Sequence, residues 1–183
     1  MERCMKRKTE SKRTRKWRNL AGVLALVWMC VIFAFSAQTN EESSVVSEGI
    51  SYRMVNSTGF LLHLNLSEEQ LKMISLAVES FVRKGAHMTE YGILAILVFL
   101  WLGGWEMTAL RRWSLAVAAA ALYACSDEFH QLFVAGRAGC VTDVMIDSAG
   151  AALGLTLFVL LAGLWGRARK RPPKRQHKQP GNV

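Results

Sequence analysis

Two apolar stretches in the middle of this chain are too short to cross a bilayer unless charged residues go in with them. Tyr91 to Trp105 gives 15 residues without an acid or a base, and Trp113 to Cys125 gives 13, whereas a spanning helix needs about 20. The first is completed on its N-terminal side by Arg83, Lys84, His87 and Glu90. The second is completed on its C-terminal side by Asp127, Glu128 and His130. An ionisable side chain at membrane depth is costly and normally faces a polar interior, so each cluster is a candidate functional site.

Four apolar segments can be drawn, at about 17–36, 83–103, 113–131 and 143–164. Trp17, Trp101, Trp105, Trp113 and Trp165 fall at segment ends, where an interfacial aromatic belt belongs. The net charge of +9 could suggest nucleic acid, but its distribution argues otherwise: nine of the 23 Lys and Arg lie in residues 3–18 and seven in 167–178. Both runs flank apolar segments and read as cytoplasmic anchors near anionic lipid. No nucleic-acid partner is expected.

With the basic N-terminus inside, an even number of spans returns the basic C-terminus inside. The short connection carrying Arg111 and Arg112 lands on the same side. The expected fold is therefore all-α: a polytopic membrane protein of four transmembrane helices with cytoplasmic N- and C-termini. Residues 1–18 form a basic cytoplasmic tail, 19–165 the transmembrane domain and 166–183 a basic, disordered cytoplasmic tail. The outer connections are 37–82 and 132–142. The basic leader, apolar run and small residues Ala34, Ser36 and Ala37 also fit a secretory signal. The run is long for one, and an uncleaved first helix keeps the span count even.

The connection 37–82 is too small for a domain with its own core. Within it, Ser67-Glu68-Glu69-Gln70 has the form of a capping box, followed by Leu71, Ile74, Val78 and Phe81 at helical spacing. This predicts an interfacial helix running into the second span. Cys4, Cys30, Cys125 and Cys140 form no CxxC and are read as unpaired thiols.

Helical geometry brings the polar residues into stripes. Arg83, His87 and Glu90 share one face of the second segment, with Lys84, His87 and Tyr91 beside them. Tyr123, Asp127 and His130 repeat that spacing on the third, with Glu128 and Gln131 turned to a neighbouring face. On the fourth, Asp143, Asp147, Gly150 and Gly154 share a stripe, and Gly150–Gly154 is a GxxxG that lets two backbones approach closely. Opposite charges held close at low dielectric are expected to pair. Plainer readings stay open: Asp143 as a helix cap, Arg83 and Lys84 snorkelling to headgroups, His87 and His130 as structural histidines. They account less well for three segments placing polar groups at one depth.

Phe35-Ser36-Ala37-Gln38, Arg83-Lys84-Gly85-Ala86-His87-Met88-Thr89-Glu90-Tyr91-Gly92, Tyr123 to Phe133 and Val134-Ala135-Gly136-Arg137 with Asp143, Asp147 and Gly150 occur in order across about 35–155. As a set they resemble the motifs of the VanZ-like membrane proteins. Met88 stands where that family usually has Phe, and Ala135 where Pro is common. The resemblance implies a bacterial plasma-membrane protein, a link to low-level teicoplanin resistance, and no established reaction. It selects Arg83, Lys84, His87, Glu90, Tyr91, Asp127, Glu128, His130, Gln131, Arg137, Asp143 and Asp147 as a ligand-binding set.

Three functions are compatible with these residues. The first is an outward polar site that binds or modulates an envelope amphiphile: a lipoglycopeptide, a lipid-linked cell-wall precursor or a membrane lipid headgroup. In it Arg83, Lys84 and Arg137 engage phosphate or carboxylate. The second is an enzyme using His87, His130, Asp127 and Glu128 for acid–base or metal chemistry, although no HExxH, GxSxG or P-loop is present. The third is a small transporter. No cofactor or metal is assigned, and the oligomeric state is open.

Overall fold

The computed structural model describes residues 2–169, with side chains described for 15–167. Residues 170–183, most of the expected C-terminal tail, lie outside the described residues, as do the side chain of Cys4 and those of most of the N-terminal basic run. Among the described residues the chain is entirely helical. Five α-helices follow one another: α1 Glu2–Ser36, α2 Asn40–Leu61, α3 Glu68–Trp101, α4 Ala109–Gln131 and α5 Val141–Arg169, with one 3-10 turn at Leu102–Gly104.

Within the stretch 37–82 the Ser67–Gln70 box starts a helix that runs on into the second span, as expected, but residues 40–61 form a further helix that was not expected. That helix, α2, and the first turns of α3 pack as an antiparallel pair. Tyr52 Oη donates to Glu68 Oε2 at 2.9 Å, and the Ser47 hydroxyl donates to Glu79. Two capping boxes fix this hairpin. Thr39 and Glu42 start α2, and Ser67 and Gln70 start α3. The buried contact face of α2 is Ser47, Ser51 and Gly59, facing Leu71 and Ser75. A helix packed through small polar residues carries no apolar stripe, so hydrophobic periodicity cannot reveal it.

The remaining contacts order the four long helices. Trp28 Nε1 donates to the Glu90 carbonyl at 2.9 Å, and Gly22 lies against Trp101, so α1 runs antiparallel to α3. Tyr123 Oη donates to the Met29 carbonyl at 2.6 Å and the His130 ring lies 4.6 Å from that of Phe33, so α4 runs parallel to α1. Cys140 N meets Glu128 while Trp113 Nε1 meets Thr156, so α5 runs antiparallel to α4. Directions therefore alternate down-chain, and α3 is the hub that touches every other helix.

The tightest contact is α3 on α5. A Cβ on Gly150 would fall 2.5 Å from Met88 Cα, and one on Gly154 would fall 2.9 Å from Gly92 Cα. The GxxxG of α5 thus receives the backbone of α3, as that spacing permits. On α4 the fully buried stripe is Ala116, Ala120 and Ala124, completing a core with Ile32, Leu94, Ala95 and Leu155.

Among the described residues, three segments are long and apolar enough to cross a membrane: Arg15–Ser36, Glu68–Gly104 and Val141–Arg167. α4 has the length, 23 residues or about 34 Å. It does not meet the apolar condition, since Arg111 and Arg112 open it and Asp127 and Glu128 close it.

Candidate functional site

At one end of the bundle, three helices and a loop enclose a cavity of about 170 Å³. α3 supplies Arg83, Lys84 and His87, α4 supplies Glu128 and Gln131, α5 supplies Asp143 and Asp147, and the α4–α5 loop supplies Arg137. The glycine contact explains the placement. Because Met88 sits on Gly150, Lys84 of α3 and Asp147 of α5 lie about one turn farther along two parallel helices, in register. Asp147 is only 3 % exposed and lines the cavity, and among the described residues no hydrogen bond or ion pair reaches its carboxylate.

The loop is fixed from both sides. Gly136 adopts φ +73°, a region that an L side chain rarely enters, and the turn it makes presents Arg137. Arg137 Nε donates to the Gln38 carbonyl at 3.3 Å, tying the loop to the end of α1. Burial and the like charge of Arg83 push the Arg137 guanidinium below the ordinary arginine value. At the start of α5, Glu128 Oε2 accepts from Cys140 N at 2.8 Å. The cap of that helix therefore comes from α4, leaving Asp143 in the first turn free to line the cavity.

Expected charge pairing is only partly realised. Arg83 Nη1 lies 3.8 Å from Glu79 Oε1, and His87 Nδ1 lies 3.4 Å from Glu90 Oε2. Among the described residues no ion pair within 4.0 Å joins Arg83, Lys84 or Arg137 to Glu128, Asp143 or Asp147. Cations and carboxylates line the same wall without neutralising one another directly.

The other four expected residues do not line the cavity; they form a layer behind it in which Tyr91 and Asp127 are buried and Glu90 and His130 half-buried. Tyr91 is fully buried, with its ring centroid 6.3 Å from that of Tyr123. Asp127 Oδ2 accepts from Gln131 Nε2 at 3.3 Å. Glu90 Oε2, Tyr91 Oη, Asp127 Oδ1 and His130 Nε2 are all buried without a protein hydrogen-bond partner. Each is a destabilising feature on its own. The four residues of the metal alternative divide accordingly. His87 and Glu128 face the cavity, and Asp127 and His130 lie behind it. Among the described residues no group of three His, Cys, Asp or Glu side chains is arranged to hold a metal ion.

Residues outside the expected set also contribute. Asn40 lines the cavity and its Oδ1 lies 3.5 Å from Arg83 Nη1, while Glu79 holds Arg83 from the hairpin side. The signal for Asn40 was the capping box Thr39-Asn40-Glu41-Glu42, directly after the Phe35–Gln38 motif.

Residues 21–162 match the VanZ/LLP1 family. The chain belongs to that family. The match takes in the apolar part of α1, the α2 hairpin, α3, α4, most of α5 and every residue of the cavity wall. No curated protein and no solved structure matches the chain. As a VanZ/LLP1 member with three apolar helices of spanning length, it is a membrane protein.

Proposed function

We propose that this VanZ-family protein crosses the bacterial plasma membrane four times, with both ends cytoplasmic, and that its polar cavity opens toward the outer leaflet. Alternating helix directions support the count. α4 crosses by carrying Asp127 and Glu128 into a polar interior, where they are 4 % and 8 % exposed. Arg15, Arg18, Arg111, Arg112 and Arg167 gather at the other end of the bundle, which the positive-inside rule makes cytoplasmic.

Within that frame the cavity binds the polar head of an envelope amphiphile and so modulates tolerance of lipoglycopeptides such as teicoplanin. Lipid-linked wall precursors and phospholipid heads share the same chemistry. The observation that carries this reading is a cavity wall of three fixed cations and three carboxylates without a direct ion pair between them. The cations offer charge-assisted donors to a phosphate or carboxylate. Asp143 and Asp147 offer acceptors to an ammonium or sugar hydroxyl. Charges of both signs that do not pair with one another across the cavity are stabilised at low dielectric by a ligand that brings both complements.

The test is expression in a susceptible Gram-positive host, with teicoplanin tolerance compared for the wild type, Arg137→Ala, Glu90→Ala and Asp147→Asn at equal membrane abundance. Titration of purified protein with teicoplanin, and with a glycopeptide lacking the acyl chain, runs in parallel. The reading expects loss of tolerance and of teicoplanin binding in the variants. Unchanged tolerance together with unchanged binding sinks it. A second reading rests on the cavity-lining His87, whose Nδ1 stands 3.4 Å from Oε2 of Glu90 in the layer behind it, a pair suited to proton transfer on a lipid headgroup ester. Release of a headgroup from a labelled phospholipid or wall precursor, abolished in His87→Gln, would establish it.

A further inference from the structure

A second, larger cleft of about 770 Å³ lies between α1 and α3 at the end of the bundle away from the polar cavity. Its order of chemistry is distinctive. Arg15 and Arg18 stand at the mouth, and below them Leu20 and Leu24 of α1 face Leu97 and Leu100 of α3. From Arg15 to Leu20 is five residues, or about 7.5 Å along the helix, so the basic groups and the apolar wall occupy successive depths. Leu20, Leu24 and Leu100 are each more than two-fifths exposed, with no other helix covering them.

The mouth is arranged rather than incidental. The Arg18 guanidinium lies where a Cβ on Gly104 would be, and its Cζ sits 5.7 Å from the Trp105 ring centroid. The turn at Leu102–Gly104 therefore holds it over the cleft. No carboxylate lines the cleft, and among the described residues neither arginine forms an ion pair. Two guanidiniums above a leucine-walled slot match one partner in charge and in polarity gradient. The phosphodiester of a phospholipid with net negative charge would meet the arginines, and one acyl chain would lie along the leucines. A zwitterionic phosphatidylcholine would bring its own cation to the same mouth.

We infer that the α1–α3 cleft seats an anionic phospholipid of the leaflet opposite the polar cavity, as a defined site distinct from general attraction of the basic tails. The seat also accounts for α1, which meets α4 only lightly and relies on α3 for its packing. A lipid bridging both would complete that face.

Full-length protein in neutral detergent is offered phosphatidylglycerol or phosphatidylcholine with identical acyl chains, and retained lipid is counted by mass spectrometry of the intact complex. The wild type is expected to retain phosphatidylglycerol saturably and in preference to phosphatidylcholine. Arg15→Gln with Arg18→Gln should cut that retention about thirtyfold, the scale expected for removing two surface cations. Arg111→Gln with Arg167→Gln removes the same charge at the same end outside the cleft and should leave retention unchanged. Leu24→Trp fills the slot without altering charge and should also lower retention, which keeps the test alive if the double arginine variant fails to fold. Equal retention of the two lipids by the wild type overturns the seat. So does equal loss in both double variants, because that is the signature of diffuse attraction, or full retention in Leu24→Trp.

Discussion

Gly150→Ala is the perturbation whose outcome the packing fixes most sharply. The added Cβ would fall 2.5 Å from Met88 Cα and 2.5 Å from Met88 O, both backbone atoms with no rotamer to yield. Restoring an ordinary contact of 3.4 Å requires α3 and α5 to part by 3.4 − 2.5, or about 0.9 Å. A gap of that size forfeits a quarter to a half of each facing dispersion contact. Overpacking of this kind costs about 1–3 kcal/mol, against which the better helix propensity of Ala returns at most about 1. A net loss of up to about 2 kcal/mol is expected, read as a drop in Tm of up to several degrees in detergent. Gly163→Ala is the control: nothing lies within 4 Å of its Cβ, so its Tm should hold or rise. Since Lys84 and Asp147 sit one turn above the contact, Gly150→Ala should also weaken cavity ligand binding. Gly150→Ala with the Tm of Gly163→Ala would refute the close α3–α5 approach and the register built on it.

Four other outcomes follow from single contacts. Tyr123→Phe removes the 2.6 Å bond to the Met29 carbonyl and should cost about 1 kcal/mol, seen as a lower Tm and freer α1 in hydrogen exchange. Glu128→Gln keeps an acceptor for Cys140 N and should hold Tm, whereas Glu128→Ala leaves that amide uncapped and should cost about 1 kcal/mol. Asp147→Asn removes a buried carboxylate without a partner, so Tm should not fall while cavity binding is lost; a fall would mean the carboxylate is structural. Cys140 is exposed, and its hydrogen bond with Thr142, Sγ to Oγ1 2.9 Å, pushes the thiol below its usual range. More of it is thiolate near neutrality, so an impermeant maleimide added outside intact cells of a Cys4→Ser strain should label it first; labelling only after permeabilisation would invert the proposed topology.

Much of the site was legible because membrane depth makes polarity expensive. Arg83, Lys84 and His87 stand out against the apolar run that follows them, and so do Glu128 and Gln131 against the run that precedes them. The Gly150–Gly154 spacing announced a close partner, which is α3. Two things were hidden. α2 buries Ser47, Ser51 and Gly59, so apolar periodicity is silent and only the Thr39–Glu42 box marks its start. The division of the polar set into a cavity wall and a layer behind it was also invisible. Glu90 and Tyr91 follow His87 by less than a full turn and a little over one, yet neither lines the cavity: Trp28 of α1 donates to the Glu90 carbonyl, and the Tyr91 ring packs beside Tyr123 of α4. Spacing along one helix fixes angle but not which neighbour fills it.

The distribution of polarity along the bundle also bears on what the site can do. Polar groups from α1, α3, α4 and α5 gather at one end: Ser36, His87, Glu90, Asp127, Glu128 and Asp147. Toward the other end the core is Ala116, Ala120, Ala95, Leu155 and Phe99, each 6 % exposed or less. A path for a polar solute or a relayed proton needs acceptors at successive depths, and among the described residues the fully buried side chains of the four-helix core beyond the layer at Tyr91 and Asp127 are apolar. The same closely packed core gives the polar end its rigidity. Small residues on α4 and α5 bring helix backbones together, so charges that do not pair directly are held by the scaffold at fixed separation. Such an arrangement is suited to the one-sided headgroup recognition proposed above.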